Sequence, residues 1–447
     1  MIDQLRRQLA SPELTRRLEK LAGSTPSAAP LSLYLDLGPL DNDWLALLPA
    51  NGPFWYRARP AHQEFRLGIG HALHVTSAGR NRFAALDNTL SGFCQQWRSE
   101  AQPLVFAGFA FDGTAPNHAQ FPNALLAIPA ILLENINGRC SATLSTSVGR
   151  HRQAIQDWLH CLSKPARIEN EKLLASHPET LAERAWVART NAALRDIEAG
   201  RLDKIVLSRQ RKLIASQPFS AAQILARLLD QQAACLIYAH GNGTQTFLGA
   251  KPERLVRLQG KQVSADALAG TAWPDSAELV SEKNQHEQSL VIRAVYEALR
   301  PLCTQLPQIS PPMAHPAGHL MHLRSEITAT VKTGTRLFDL VRALHPTPAV
   351  GGFPVAAAQA WLTAHGEQRP AWYSGGFGIL TPDGDGEFSV ALRSALLDGN
   401  SAELHAGAGI VAGSDPQQEL AETEAKLGTL FAALSPTTPA AKNGTIG

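Results

Sequence analysis

The chain is poor in the residues that build metal knuckles, disulfide frameworks and nucleic-acid grips. Its five cysteines, Cys94, Cys140, Cys161, Cys235 and Cys303, are scattered through 447 residues without a CxxC pair, which excludes a zinc ribbon, a dithiol redox motif and a cysteine-stapled small domain. They are expected to be reduced packing residues. Lysine and arginine number 41 against 39 aspartates and glutamates, a net charge of +2 with no long basic run, so a nucleic-acid partner is not expected. No apolar run approaches the roughly 20 residues of a membrane-spanning helix; "ALLAIPAILL" is short and interrupted by Pro129. The opening "MIDQLRRQLASPELTRRLEKLAG" repeats leucine at helical spacing among charges, which predicts an amphipathic helix and not an export signal. These absences leave a cytoplasmic protein that acts on a small molecule, with no membrane partner.

What is present is 44% hydrophobic and 18% charged residues, enough core for one large domain or two smaller ones. From about residue 30 to 150, apolar runs such as "LSLYLDLG", "EFRLGIG" and "SATLSTSVG" are punctuated by turn residues and predict strands. Residues 151–200 carry helical periodicity. Beyond them, "LDKIVLSRQ", "CLIYAHG", "TQTFLGA" and "ERLVRLQG" read as strands, residues 281–302 and "RLFDLVRAL" as helices, and "WYSGGFGIL" and "FSVALRSALL" as strands flanking the turn "TPDGDGE". "SAELHAGAGIVAGS" leads to a closing helix, "DPQQELAETEAKLGTLFAALS". Strands and helices mix without strict βαβ alternation, so the expectation is an α+β fold.

Several charged residues sit where a strand or helix would bury them. Lys204 opens a run of isoleucine, valine and leucine; alternation puts it on one face with Val206 and Ser208. An isolated lysine there lifts its charge to solvent along the strand end. In the closing helix, Glu419, Glu422 and Lys426 share a face, which by itself is an ordinary solvated stripe. Just before it, Gly407 and Gly409 alternate in a strand-like run, a sign that something approaches the backbone closely. A nucleotide phosphate or a small anion are the two candidates, although Gly413 falls one place late for a G-x-G-x-x-G loop. Glu282 and Glu287 head another helix. Were Glu287 and Glu422 to converge, their hard oxygens would suit Mg²⁺. His315, His319 and His322 lack zinc-ligand spacing, and His322 is left as a substrate contact. Arg393, read inside the strand "FSVALRSALL", is suited to a carboxylate, and Glu253 follows a proline at a strand start.

Taken together and in this order, "DKIVLSR", "FLGAKPERL", "ALAGTA", "EKNQHEQSLV", "LHPTPAVGGFP", "WYSGGFG", "VALRSALL" and "AGAGIVAGSDPQQELAETEAKL" resemble the chorismate-utilising enzymes, most of all isochorismate synthases of the menaquinone-pathway type. The strings span roughly residues 200–430. The resemblance implies two large stacked antiparallel β-sheets with helices outside, a variable N-terminal part over residues 1–180, a catalytic region over 181–435 and a disordered tail over 436–447. It implies a Mg²⁺-dependent monomeric isomerase, with Lys204 as general base, Glu253 as general acid, and Glu287 and Glu422 as metal ligands. Substrate contacts would come from Arg393, Lys426, Gly407, Gly409, Gly270, Thr271 and Tyr373. Two departures stand out: Lys251 where a serine is common, and Trp273-Pro274 where an arginine is common in several branches. Both are expected to affect loops only.

The implied reaction adds water at C2 of chorismate while the C4 hydroxyl leaves. Lysine and glutamate ordinarily titrate near ~10.4 and ~4.3, so a neutral base and a protonated acid at pH 7 require burial. Relatives that use ammonia lack a lysine at the position matching Lys204, so its presence implies water as nucleophile. A salicylate synthase, which also eliminates pyruvate, keeps the lysine and stays open. So does a non-catalytic anion- or nucleotide-binding module built on "AGAGIVAGS". The product of the plain isomerase feeds menaquinone, salicylate and catechol siderophores.

Overall fold

Two strands are too long to end where one sheet ends. Glu64–Ser77 and Ala124–Ile136 run antiparallel to each other, and their register slips between His71 and Leu73, opposite Pro129. Proline has no N–H to give the ladder, and Gly70 beside it takes φ 65°, so the pair bends there. One half of Ala124–Ile136 pairs with Arg139–Ser147 and the other with Val105–Phe109. The two strands thereby carry the chain from one sheet into another. The computed structural model describes residues 2–23, 28–39, 44–114, 120–162, 173–176, 180–251, 253–274, 277–317 and 320–435; the expected tail over 436–447 lies outside them.

The first sheet runs, by neighbouring strands, Leu173–Ser176, Lys204–Ala215, Ser401–Val411, Ser394–Asp398, Gln245–Lys251, Leu236–Asn242, Pro53–Arg59 and Glu64–Ser77. It continues through Ala124–Ile136, Arg139–Ser147 and Pro30–Gly38. The second runs Leu320–Thr330, Gln262–Ala272, Arg254–Gln259, Gly386–Val390, Gly376–Leu380, Val105–Phe109 and Ala124–Ile136. All these pairs are antiparallel, as the α+β reading with two large sheets expects.

Alternation sorts the side chains into three layers. Phe54, Tyr56 and Ala58 pack with Leu5, Leu14 and Leu225 of helices covering the first sheet, and Val105 and Ala107 pack with Phe83, Val291 and Phe338 of helices covering the second. Between the sheets lies an aromatic layer of Trp55, Phe106, Tyr238, Phe247, Trp372 and Phe377. Trp55 stacks on Phe106 and Trp372 at ring-centroid distances of 5.3 and 5.5 Å. A Cβ on Gly108 would lie 2.2 Å from the Trp372 ring, so that glycine is what lets the layer close.

Three local readings change. The N-terminal helix is two helices, Ile2–Leu9 and Pro12–Ala22, because Ser11 caps the second by accepting the Leu14 N–H at 3.2 Å and Pro12 opens it. Within the stretch expected to be strands, Arg82–Gln96 is a helix that buries Phe83, Leu86 and Leu90. "FSVALRSALL" is not one strand. Gly386–Val390 belongs to the second sheet and Ser394–Asp398 to the first, and the crossing leaves Arg393 at φ 47°. A similar crossing joins Gln245–Lys251 to Arg254–Gln259, with Glu253 in it. The five cysteines form no disulfide with one another. Among the described residues, no helix is long and apolar enough to cross a membrane.

Candidate active site

A cleft opens at the seam between the two sheets. The first sheet contributes Lys204, Gly407 and Gly409, the second Gly270, Thr271 and His322, and the two crossings Glu253 and Arg393. Glu287 comes from the helix Glu282–Leu299, Glu422 and Lys426 from Pro416–Leu434, and Tyr373 from the segment before Gly376–Leu380. The eleven residues to which the resemblance assigns roles, and His322, therefore line one cavity. Glu282 does not; it is exposed at the helix start. His319 lies outside the described residues.

Lys204 is buried, but its ammonium does not reach solvent along the strand end. Nζ donates to Glu287 Oε1 at 2.7 Å, and Gly270 N donates to Glu287 Oε2 at 3.2 Å. A Cβ at position 409 would stand 2.6 Å from Glu287 Oε1 and 2.8 Å from Lys204 Cε. The group nearest the backbone at position 409 is thus the chain's own ion pair. At position 407 a Cβ would meet Leu207 O at 2.9 Å and Tyr373 Oη at 3.1 Å.

The acidic face of the last helix is not a solvated stripe. Glu419 is 2% exposed and accepts from Lys283 Nζ at 2.6 Å and Ser414 Oγ at 2.8 Å. One turn on, Lys426 Nζ donates to Glu422 Oε1 at 2.5 Å and to Gly407 O at 2.9 Å, tying helix to strand.

Arg393 Nη2 donates to His322 Nε2 at 2.7 Å. That bond leaves the His322 proton on Nδ1, which faces Gly270 O and Thr271 Oγ1, each at 3.2 Å. Arg393 Nη1 is buried without a hydrogen-bond partner. An orphaned guanidinium N–H in a cleft wall is a place for a carboxylate.

Residues 31–435 match the model of the chorismate binding enzyme family. The chain belongs to the chorismate binding enzymes. The resemblance read from its motifs is the same family. Among curated relatives of this chorismate binding enzyme, the salicylate biosynthesis isochorismate synthase of Pseudomonas aeruginosa is 33% identical over 86% of this chain and 85% of its own. Isochorismate synthase MenF of Escherichia coli is 29% identical over 93% and 96%. The solved structure of the menaquinone-specific isochorismate synthase MenF from Escherichia coli superposes with a TM-score of 0.77 at 26% identity, covering 94% of this chain and all of that one. Anthranilate synthase component I from Streptococcus pneumoniae, at 17% identity and TM-score 0.62, shares the fold.

The cleft of this chorismate binding enzyme mixes opposed charge in a desolvated space. Burial pushes Glu253 up against the lowering influence of Lys251, and pulls Lys251 down to about 8. Burial also raises Glu287, but Lys204, Lys426 and Lys283 outweigh it and leave that carboxyl below its ordinary range. His322 is driven well below 6.5 by burial and by Arg393, so it stays neutral and can accept from the guanidinium. Lys251 was set aside in the sequence as a loop departure; instead its Nζ lies 3.1 Å from Glu253 Oε2, with both side chains almost fully buried. Strand alternation was the available signal, since Lys251 shares a face with Phe247 of the inter-sheet layer.

Glu287 and Glu422 are the cleft carboxylates that could hold a cation. They offer hard oxygens and no nitrogen or sulfur, a set that fits Mg²⁺, which takes one or two carboxylates and completes its shell with water and substrate oxygens. Among the described residues, no cluster of three or more His, Cys, Asp or Glu forms an all-protein metal cage.

Proposed function

We propose that this chorismate binding enzyme is an isochorismate synthase, an isomerase that moves the hydroxyl of chorismate from C4 to C2. The observation that carries the reading is one buried cleft holding a lysine on the first sheet, Lys204, and a glutamate in the sheet crossing, Glu253. Relatives that match most of the chain are named isochorismate synthases, which supports the same reading.

In the forward direction Lys204, as the neutral amine, takes a proton from the water whose oxygen bonds to C2. Glu253 gives its proton to the C4 oxygen as that C–O bond breaks. One proton is taken and one given, so substrate and product are isomers and the cleft returns to its starting state by exchange of the two protons. Glu253 meets its part because burial raises its proton affinity. Arg393, with an unpaired Nη1, would receive one of the two substrate carboxylates. Lys426, Gly270, Thr271 and Tyr373 would frame the ring. Mg²⁺ held by Glu287 and Glu422 would supply positive charge to the substrate's ring carboxylate.

Incubation with chorismate and Mg²⁺, followed by separation of products, tests the reading. Isochorismate alone is the expected product. Stoichiometric pyruvate and salicylate would replace the isomerase with a salicylate synthase, and unchanged chorismate would leave only a binding module. Glu287→Ala and Glu422→Ala should each abolish Mg²⁺-dependent turnover; turnover retained in either variant removes that residue from the metal site. A cytoplasmic monomer accords with this reading, and sedimentation would report the mass.

A further inference from the structure

Lys251 ends the Gln245–Lys251 strand, its backbone paired to Leu236. Leu248 and Ala250 turn into the core under the covering helices, while Phe247 turns into the inter-sheet layer. Alternation therefore sends Lys251 inward with Phe247, and its side chain is 1% exposed and lines the cleft. A lysine so buried is rare, and its desolvation needs an opposite charge. Glu253 is the carboxylate it reaches, at 3.1 Å. The other charged and titratable groups facing the pair are committed or alike in sign. Asp266, on Gln262–Ala272, is bound to Arg324 at 2.9 Å and to Arg254 N at 3.0 Å. Arg393 faces the pair from the other crossing, Lys204 from its own strand, and neutral His345 from beyond the helix Leu337–Leu344.

We propose that Lys251 is a positioning residue for the acid of the reaction: its ammonium favours the ionised carboxyl of Glu253 and so makes Glu253 a stronger acid toward the departing C4 oxygen. The inference rests on the isochorismate synthase reading. A glutamate buried here without a cation would hold its proton too tightly to surrender it, as burial alone shifts such groups by several units. Proton transfer is fastest when acid and reaction are matched.

The test is the titration of the Glu253 carboxyl, followed by infrared difference spectroscopy in the full-length protein and assigned by the loss of its band in Glu253→Gln. In Lys251→Met, which keeps the length and removes the charge, the midpoint should rise by about one to three units, and the basic limb of kcat/KM should move with it. Lys251→Ser should do the same, and serves if Lys251→Met does not fold. A midpoint unmoved or lowered in a folded variant overturns the proposal, because mere packing by Lys251 would leave the carboxyl where it was. If the wild-type protein makes no isochorismate, the function falls, while the Glu253 titration still decides whether Lys251 sets that carboxyl.

Discussion

Two groups of buried charges lie between the same sheets and are built from different cations. In the first, Arg57 Nη2 reaches Glu387 Oε1 at 2.8 Å, Arg59 donates to the same oxygen, and Arg254 Nε stands 3.7 Å from Oε2. This knot ties Pro53–Arg59 of one sheet to Gly386–Val390 of the other. The second group is the cleft, where Lys204 faces Glu287, Lys251 faces Glu253, and Lys426 faces Glu422. Guanidinium is always charged and shares its planar fork among several acceptors, whereas an ammonium is a compact charge that can shed its proton. The knot uses the cation that cannot change state. The cleft uses the one that can, and where it uses arginine, at Arg393, one N–H is left unmet. Fixed pairing serves the join between the sheets; exchangeable pairing serves proton transfer.

The difference is broken most severely in the cleft. Lys204→Met and Glu253→Gln should each lower kcat for isochorismate formation by about 10²–10⁴-fold, the usual worth of a positioned acid or base, with binding of chorismate retained in a calorimetric titration. Glu387→Gln should behave in the opposite way. Removing one partner of a buried pair costs about 3–5 kcal/mol, so the urea midpoint should fall while turnover per folded molecule stays the same. Loss of turnover in folded Glu387→Gln, or full activity in Lys204→Met, would erase the distinction between the two groups.

The sequence already held part of the cleft's membership, because apolar spacing fixes the face of Lys204 by strand alternation and of Glu287 and Glu422 by helical spacing. What spacing cannot show is which sheet a strand joins. "FSVALRSALL" keeps its alternation across a crossing from the second sheet to the first, so Arg393 reads as a strand residue although it sits in the break at φ 47°. The alternating glycines mark points of close approach, and the approaching groups are tertiary partners: the Glu287–Lys204 pair at Gly409, and Leu207 O with Tyr373 Oη at Gly407. Lys251 was visible as an unusual residue and misjudged, since its meaning depends on Glu253 lying just across the turn in the same desolvated layer. The helix Arg82–Gln96 had its signal in Phe83, Leu86 and Leu90 at helical spacing, hidden among neighbouring strands.

The smallest effect concerns how the knot responds to acid. Burial pushes Glu387 up, but Arg57, Arg59 and Arg254 together pull it to about 2 from an ordinary 4.5. Its folded form is depressed, so the unfolded chain takes up a proton first as pH falls. The knot's contribution is therefore complete above about 4.5 and lost progressively toward about 2. Each unit of that interval is worth about 1.4 kcal/mol. Urea unfolding of the wild-type protein and Glu387→Gln at pH 7 and pH 3 should show the stability gap between them narrowing by about 2 kcal/mol on acidification, since the glutamine has no proton to take up. A gap that stays constant would mean that Glu387 is held by packing and not by the three arginines, and the knot would then differ from the cleft in position only.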